Sequence, residues 1–290
     1  MQKVLVFGQK GQLGTEFCKQ LGAEAVGADL PEGDITDKYA LEKLFEQVRP
    51  TAVVNAAAFT KVDAAEEQPA VCRKVNAFGP LNLAEMCRQY DIPLVHYSTD
   101  YVFCGTTKRE PLSETDAVAP QGEYAKTKYE GEQNIQRTWD KHLILRTCGL
   151  YGTPGPNTPG NFVETMCRLG SSRRNLRIVN DQHCTPTWIP NLVEASRFLL
   201  EKQAWGLYHL VNGGATTWYD FAMEIFRLEG LEVEVAPITT AEWGAPSPRP
   251  LYSVLNTQKY HALGGPAMLS WQDALKCYLE QRKERGKNIE

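Results

Sequence analysis

VLVFGQKGQLG, residues 4–14, sets a short apolar run directly before three glycines, Gly8, Gly11 and Gly14. Helical spacing then begins at Gln12 and lasts to Leu21. A strand, a glycine turn and a helix in that order make an anion site. Glycine lets backbone approach a pyrophosphate closely, and the helix start offers unpaired N–H groups with a partial positive charge. The three glycines are spaced three and three, where the commoner dinucleotide fingerprint is spaced two and three. Taken alone, the glycines also fit a structural turn; their place after a strand and before a helix points to dinucleotide binding.

Outward from that stretch, the first half alternates short apolar runs with helical segments. The runs are Lys3–Phe7, Ala25–Ala28, Ala52–Asn55, Leu94–Ser98 and Leu143–Arg146. The helical patterns are Gln12–Leu21, Tyr39–Val48, Val71–Tyr90 (broken near Gly79-Pro80) and Tyr124–Arg137. Such alternation predicts right-handed crossovers and a parallel sheet covered by helices on both faces. The fold class expected is α/β, a Rossmann-like doubly wound parallel sheet with a smaller mixed α/β C-terminal lobe. GLYGTPGPNTPG, 149–160, and APSPRP, 245–250, read as loops. Residues 1–148 are assigned to dinucleotide binding and 149–290 mainly to a substrate lobe, with about 185–212 returning to the large sheet.

The chain has 290 residues, a formal net charge of -4 and a pI near 5.8. It lacks the basic excess of a nucleic-acid binder. Its first apolar run is too short for a secretory segment or a membrane span, and no other stretch approaches the necessary length. A cytoplasmic protein with no membrane or nucleic-acid partner is expected. Eight scattered cysteines without a CxxC pair read as reduced, mostly buried residues, and no metal site is expected.

Asp29 ends the second run, 21 residues after Gly8. A carboxylate there suits the adenosine ribose hydroxyls, though a surface turn is also open. Asp34-Ile35 is an acid-apolar pair of the kind that holds adenine, while Thr36 or Asp37 would equally suit a helix cap. Tyr124-Ala-Lys-Thr-Lys128 puts a phenol and an ammonium on one helix face. A nearby cation favours phenolate and lowers the tyrosine pKa, and such a tyrosine can protonate a carbonyl oxygen as hydride reaches its carbon. The spacing alone is common: Tyr39-Ala-Leu-Glu-Lys43 repeats it and is read as a surface pair. The Tyr124 copy follows Tyr97-Ser98-Thr99-Asp100, which leaves the C-terminal end of the fourth strand, where open parallel sheets bind ligands. There Thr99 can bond the same carbonyl oxygen. Asn55-Ala56-Ala57-Ala58 ends the third strand in small residues that admit a ribose or nicotinamide.

With these residues assembled, the chain resembles the dTDP-4-dehydrorhamnose reductase family of extended short-chain dehydrogenases. The likeness runs through VNAAAFTKVD (54–63), HYSTDYVFCG (96–105), YAKTK (124–128), VNDQHCTPTW (179–188), WYDFA (218–222), PITTAE (237–242) and RPLYSVLNTQK (249–259). It implies reduction of a nucleotide-linked 4-keto-6-deoxy sugar, dTDP-4-dehydro-L-rhamnose to dTDP-L-rhamnose, by NADP(H) or NAD(H). It implies a catalytic set of Thr99, Tyr124 and Lys128. Gly11, Gln12, Leu13, Asp29, Asp34, Ile35, Ala58, Phe59, Thr60 and Tyr97 would line the cofactor, with Tyr124 and Lys128. Thr99 and Asp100 would touch the sugar. Arg249, between two prolines, is read either as a grip on the diphosphate or as a loop arginine.

The chain departs from the family pattern at two places. Where the family reads Arg-Thr-Ser-Trp, this chain reads Arg146-Thr147-Cys148-Gly149, so Gly149 removes a large apolar wall from the sugar site. Cys184 stands where a small glycine is usual. Three rivals stay open: a reductase of a related dTDP-4-keto sugar, an epimerase or dehydratase with tightly held NAD+, and a regulatory subunit like the methionine adenosyltransferase β subunit. Coenzyme preference, a homodimer and any Mg2+ role, for which Glu16 is the suggestive residue, are left open as well.

Overall fold

The computed structural model describes residues 3–158 and 160–287; Pro159, within the loop expected over 149–160, lies outside them. The first half contains β1 (Val4–Phe7), α1 (Gln12–Leu21), β2 (Ala25–Ala28), α2 (Lys38–Val48), β3 (Ala52–Asn55), α3 (Val62–Glu67), α4 (Pro69–Arg73), α5 (Gly79–Tyr90), β4 (Leu94–Thr99), α6 (Glu123–Thr138) and β5 (His142–Thr147). The second contains β6 (Leu150–Tyr151), α7 (Phe162–Ser172), β7 (Asn175–Val179), β8 (His183–Cys184), β9 (Thr187–Trp188), α8 (Ile189–Glu201), β10 (Gly206–His209), β11 (Thr216–Thr217), α9 (Trp218–Glu229), β12 (Glu234–Ile238), α10 (Thr240–Trp243), α11 (Gln258–His261) and α12 (Trp271–Lys287).

Six parallel strands form the main sheet in the order β10-β5-β4-β3-β1-β2. The chain leaves β1 toward one edge and then crosses to β3 on the other side, so the strand order reverses between β1 and β3. Ligands bind such open sheets in the crevice at that switch point, beyond the carboxyl ends of the strands. Strands β1, β3, β4 and β5 are buried along their whole length, as strands covered on both faces must be. On one face Phe17 of α1 and Leu192 and Leu199 of α8 meet Val6, Val54, Val95 and Leu145. On the other, Leu41 and Phe45 of α2 and Leu83 of α5 meet Leu5, Phe7, Val53 and Ile144. Leu41 and Phe45 lie one helical turn apart and are fully buried. Truncating side chains so enclosed costs about 2–5 kcal/mol.

Between α4 and α5 the chain does not leave the helix. A π-type turn, Lys74–Phe78, joins them and Pro80 sits in the first turn of α5. Proline cannot donate to the preceding turn, and the wider turn absorbs the mismatch without a break.

After β5 the elements shorten. β6 pairs with β9 and β12 with β7, both parallel, while β11 pairs with β8 antiparallel. Helices α7, α9 and α12 enclose a separate core of Tyr151, Val163, Phe221, Ile225, Leu275 and Tyr278. α8 and β10 belong to the large sheet, α8 packing beside α1 and β10 pairing with β5. No helix among the described residues is long and apolar enough to cross a membrane.

Candidate active site

A cleft of about 780 Å³ opens at the carboxyl ends of β1, β3, β4 and β5 and reaches Gln182, Cys184 and Trp218 of the second half. At its base lies the β1–α1 turn. Gly8 has φ +74°, and a Cβ there would fall 2.7 Å from the Ala57 nitrogen. A Cβ on Gly14 would fall 2.2 Å from the Gly8 carbonyl oxygen. Gly14 therefore admits α1 to the strand end, and it is absent from the cleft lining, where Gly8, Gly11, Gln12 and Leu13 all stand. Gly11 begins α1 and no side chain caps the helix. Its first amides face the cleft without a side-chain acceptor, as an anion-binding helix start requires.

Asp29 lines the same cleft. Its carboxylate accepts from the Lys10 and Leu30 amides, each at 2.9 Å. That fixes it at the rim of the glycine turn. Asp34 and Ile35 lie beside it. Asp34 Oδ1 accepts from the Thr36 amide and hydroxyl, and Asp37 caps α2, so capping falls to Asp37 and leaves the Asp34-Ile35 pair on the cleft. The Ala58-Phe59-Thr60 loop after β3 is held by Asn76, which accepts from the Phe59 amide at 2.8 Å and donates to its carbonyl at 3.0 Å. All three loop residues line the cleft. These features suit a dinucleotide: an uncapped helix start, glycines that bring backbone to the phosphate position, and a fixed carboxylate some 20 residues on.

Thr99, Tyr124 and Lys128 line the far part of the cleft. β4 ends at Thr99, and Tyr124 and Lys128 share the inner face of α6. The start of α6 is anchored by Glu66, whose Oε1 accepts from the Glu123 amide at 2.9 Å. Tyr101 meets the Tyr124 ring edge-on at 5.4 Å. Thr99 donates to Asp100 at 3.2 Å, and Ser253 donates to the other Asp100 oxygen at 2.5 Å. Lys128 is buried and donates to the Tyr97 carbonyl at 2.5 Å. Tyr97 turns its own hydroxyl away, to Ser196 on α8 at 2.7 Å, so it serves the cleft through its backbone.

The electrostatics differ from the sequence expectation. Burial pushes the Tyr124 phenol above its ordinary range, the neighbouring Thr99 hydroxyl pulling it the other way, and Lys128 is not what shifts it. Desolvation instead lowers Lys128 itself to about 8, against an opposing pull from Glu132. The ammonium spends its bond on the Tyr97 carbonyl, and the low-polarity wall decides the state of the phenol. The result is a neutral phenol at pH 7, the form that gives a proton. Burial also raises the Asp100 carboxyl, opposed by hydrogen bonds from Ser253, Cys148 and Thr99.

Arg249 is not part of the cleft lining, although Pro250 and Ser253 are. Its guanidinium donates to both Asp63 oxygens at 2.9 Å and to the Ser247 carbonyl, and lies over the Tyr101 and Trp243 rings. Its side chain is 8% exposed. It ties the 245–250 loop to α3. Gly149 lines the cleft with φ +54°. Cys148 and Cys184 line it too, and hydrogen bonding with Cys184, with burial, holds the Cys148 thiol well above its usual range. Cys148 is therefore not set up as a nucleophile.

Three contributors were not read from sequence. Ser253 fixes Asp100 across 153 residues. Glu132 accepts from Ser98 at 2.5 Å and forms a buried ion pair with Arg146, bracing the end of β4. Trp218 lines the cleft beside Gly149. Glu132 had a local signal, since it follows Lys128 by one further turn on the same helix face. Trp218 and Ser253 lie within the WYDFA and RPLYSVLNTQK motifs, which marked the segments and gave neither residue a role. No group of three or more metal-ligating side chains occurs among the described residues.

Comparison with known proteins agrees with this geometry. The family described as RmlD substrate binding domain matches residues 1–284. The dTDP-4-dehydrorhamnose reductase of Salmonella typhimurium is 36% identical, over 96% of this chain and 97% of that one. Among solved structures, a dTDP-4-dehydrorhamnose reductase from Clostridium acetobutylicum is 40% identical with a TM-score of 0.93, covering 97% of this chain and 100% of that one. The Bacillus anthracis dTDP-4-dehydrorhamnose reductase in complex with NADP is 34% identical with a TM-score of 0.92, again covering 97% and 100%. A shared fold, an extensive shared sequence and a match along almost the whole length place this chain in the dTDP-4-dehydrorhamnose reductase family.

Proposed function

We propose that this chain reduces the 4-keto group of a dTDP-linked 6-deoxy sugar, dTDP-4-dehydro-L-rhamnose, giving dTDP-L-rhamnose. The observation that carries the reading is the meeting of a proton donor, a hydroxyl and a buried ammonium in the same cleft as an uncapped glycine turn. The NADP held by the Bacillus anthracis relative supports NADPH as the reductant. When bound, NADPH supplies the hydride that goes to C4.

Tyr124 gives its phenolic proton to O4 as negative charge gathers there; its raised pKa keeps that proton in place until it is needed. Thr99 turns its hydroxyl from Asp100 to the same oxygen and orients it. Asp100, fixed by Ser253, holds Thr99 in reach. Lys128, held on the Tyr97 carbonyl, keeps a positive charge at the base of the cleft, which attracts the negative charge that gathers at O4 as hydride arrives. The amides at Gln12 and Leu13 take the pyrophosphate, with Gly11, whose own N–H is given to the Gly8 carbonyl, bringing the backbone close. Asp29 takes the ribose, and Asp34-Ile35 flanks the adenine. The Ala58–Thr60 loop packs against the nicotinamide end. Arg249 acts through the loop it holds and makes no substrate contact.

The test is a panel of dTDP-4-keto sugars offered to the purified protein with NADPH and with NADH, with coenzyme consumption followed optically and products separated by chromatography. Consumption with the 4-dehydrorhamnose substrate and formation of dTDP-L-rhamnose is the expected result. Consumption only with a sugar of another configuration would transfer the reading to that substrate. No consumption with any sugar, together with co-purification of a synthetase, would favour a regulatory subunit.

A further inference from the structure

The sequence leaves the sugar end of the cleft without a side chain at residue 149, yet the space there is filled. A Cβ built on Gly149 would fall 2.9 Å from the tip of the Trp218 indole, Cη2, and 3.3 Å from the Pro186 Cα. Real Cβ atoms do not approach so closely, and the φ of +54° at Gly149 is itself unfavourable for any side chain. Gly149 and Trp218 line the cleft together with Thr99 and Tyr124.

The indole is not a loose surface ring. Trp218 opens α9 directly after β11, and β11 pairs with β8. Thr217 caps the helix by accepting from the Asp220 amide. Phe162 packs against the indole with centroids 4.7 Å apart, and Phe221 lies behind it at 6.4 Å. The ring is half-buried, so its packed side is fixed and its other side is available to the cleft.

We propose that Trp218 is the apolar wall against which the sugar packs, and that residue 149 is glycine so that this indole can reach the site. The inference rests on the reductase reading above. A 6-deoxy hexose presents ring C–H groups and a methyl where an ordinary hexose carries a hydroxymethyl. An indole whose tip borders Gly149 at the cleft gives a methyl an apolar contact that a hydroxymethyl would not share. Trp218 is therefore a specificity residue for the sugar half of the substrate, with no part in holding the nucleotide half.

The test separates those halves. Protein saturated with NADP+ is titrated calorimetrically with dTDP and with dTDP-L-rhamnose. In the unaltered protein the sugar adds affinity over dTDP. Trp218→Ala should weaken dTDP-L-rhamnose roughly tenfold while leaving dTDP and NADP+ unchanged. In turnover, KM for the keto sugar should rise by a similar factor, with kcat falling less. A sugar increment kept intact in the alanine variant overturns the proposal, as does equal loss of dTDP and sugar affinity, which would mark a purely structural role. Should the alanine variant not fold, Trp218→Leu keeps apolar packing against Phe162 without the flat ring. It should lose the same increment, and keeping it would be equally fatal. Failure of the reductase reading looks different: the unaltered protein would consume no coenzyme with any keto sugar, whatever its binding increment.

Discussion

Two helices of this protein carry the same tyrosine–lysine spacing and put it to opposite ends. On α2, Tyr39 is 77% exposed and Lys43 is exposed with it. On α6, Lys128 is 3% exposed and Tyr124 stands in the cleft wall. Spacing decides only that two side chains share a helix face. What differs is where that face points. α2 buries Leu41 and Phe45 against the sheet and leaves Tyr39 and Lys43 to solvent. α6 turns its pair toward the carboxyl end of β4, where the chain also delivers Thr99. Burial then acts on each group, raising the phenol and lowering the ammonium.

The largest expected difference between the pairs is in turnover. Tyr124→Phe removes one oxygen and the proton it carries, while keeping the ring against Tyr101. Loss of a positioned general acid costs roughly 10²- to 10⁴-fold in rate. The kcat of this variant should fall within that range while NADP+ affinity stays close to its original value; Tyr39→Phe, measured beside it, should leave both unchanged. An undiminished rate in Tyr124→Phe would end the distinction drawn between the two helices.

Legibility in the sequence followed the same line between local pattern and long-range placement. The elements of the large sheet were readable because each buried strand is built on a short apolar run, such as VLVF in β1 and LIL in β5, and the main helices keep their period. α1 occupies Gln12–Leu21, the span its spacing predicts. The two-residue strands β6, β8, β9 and β11 were not readable, because no period fits in two residues. The pairing of β12 with β7 joins segments more than fifty residues apart, and nothing local announces it. At the site, the glycine turn and Tyr124 announced themselves by context. Ser253 and Trp218 did not, since each reaches the cleft through tertiary packing. Arg249 was expected either to grip a phosphate or to lie free in a loop. Its pairing with Asp63 was not legible, because that partner lies 186 residues away in sequence.

A second difference between the pairs should appear with pH. Burial holds Lys128 near 8, well below the usual 10.5. It is charged below that pH and neutral above it, and Tyr124 remains a neutral phenol throughout. If the ammonium is needed, kcat/KM should be fully present below pH 8 and fall as pH rises through it, approaching roughly tenfold per unit. Lys128→Met should be slow at every pH and lack that limb. A wild-type profile flat to pH 10 would mean that the buried charge takes no part in turnover. Lys43 should not register in the profile at all.

The smallest effect expected is the removal of the α2 pair altogether. Tyr39→Ser combined with Lys43→Ala deletes both side chains from an exposed face. Asp37 caps α2 through the Tyr39 and Ala40 amides, which the substitutions leave in place. Exposed replacements away from caps and cores shift stability by no more than about 0.5 kcal/mol. Thermal melting should therefore move little and turnover not at all. A large loss of either would mean that the face of α2 is covered in the working protein. The contrast between the helices would then be one between two kinds of burial, with solvent on neither side.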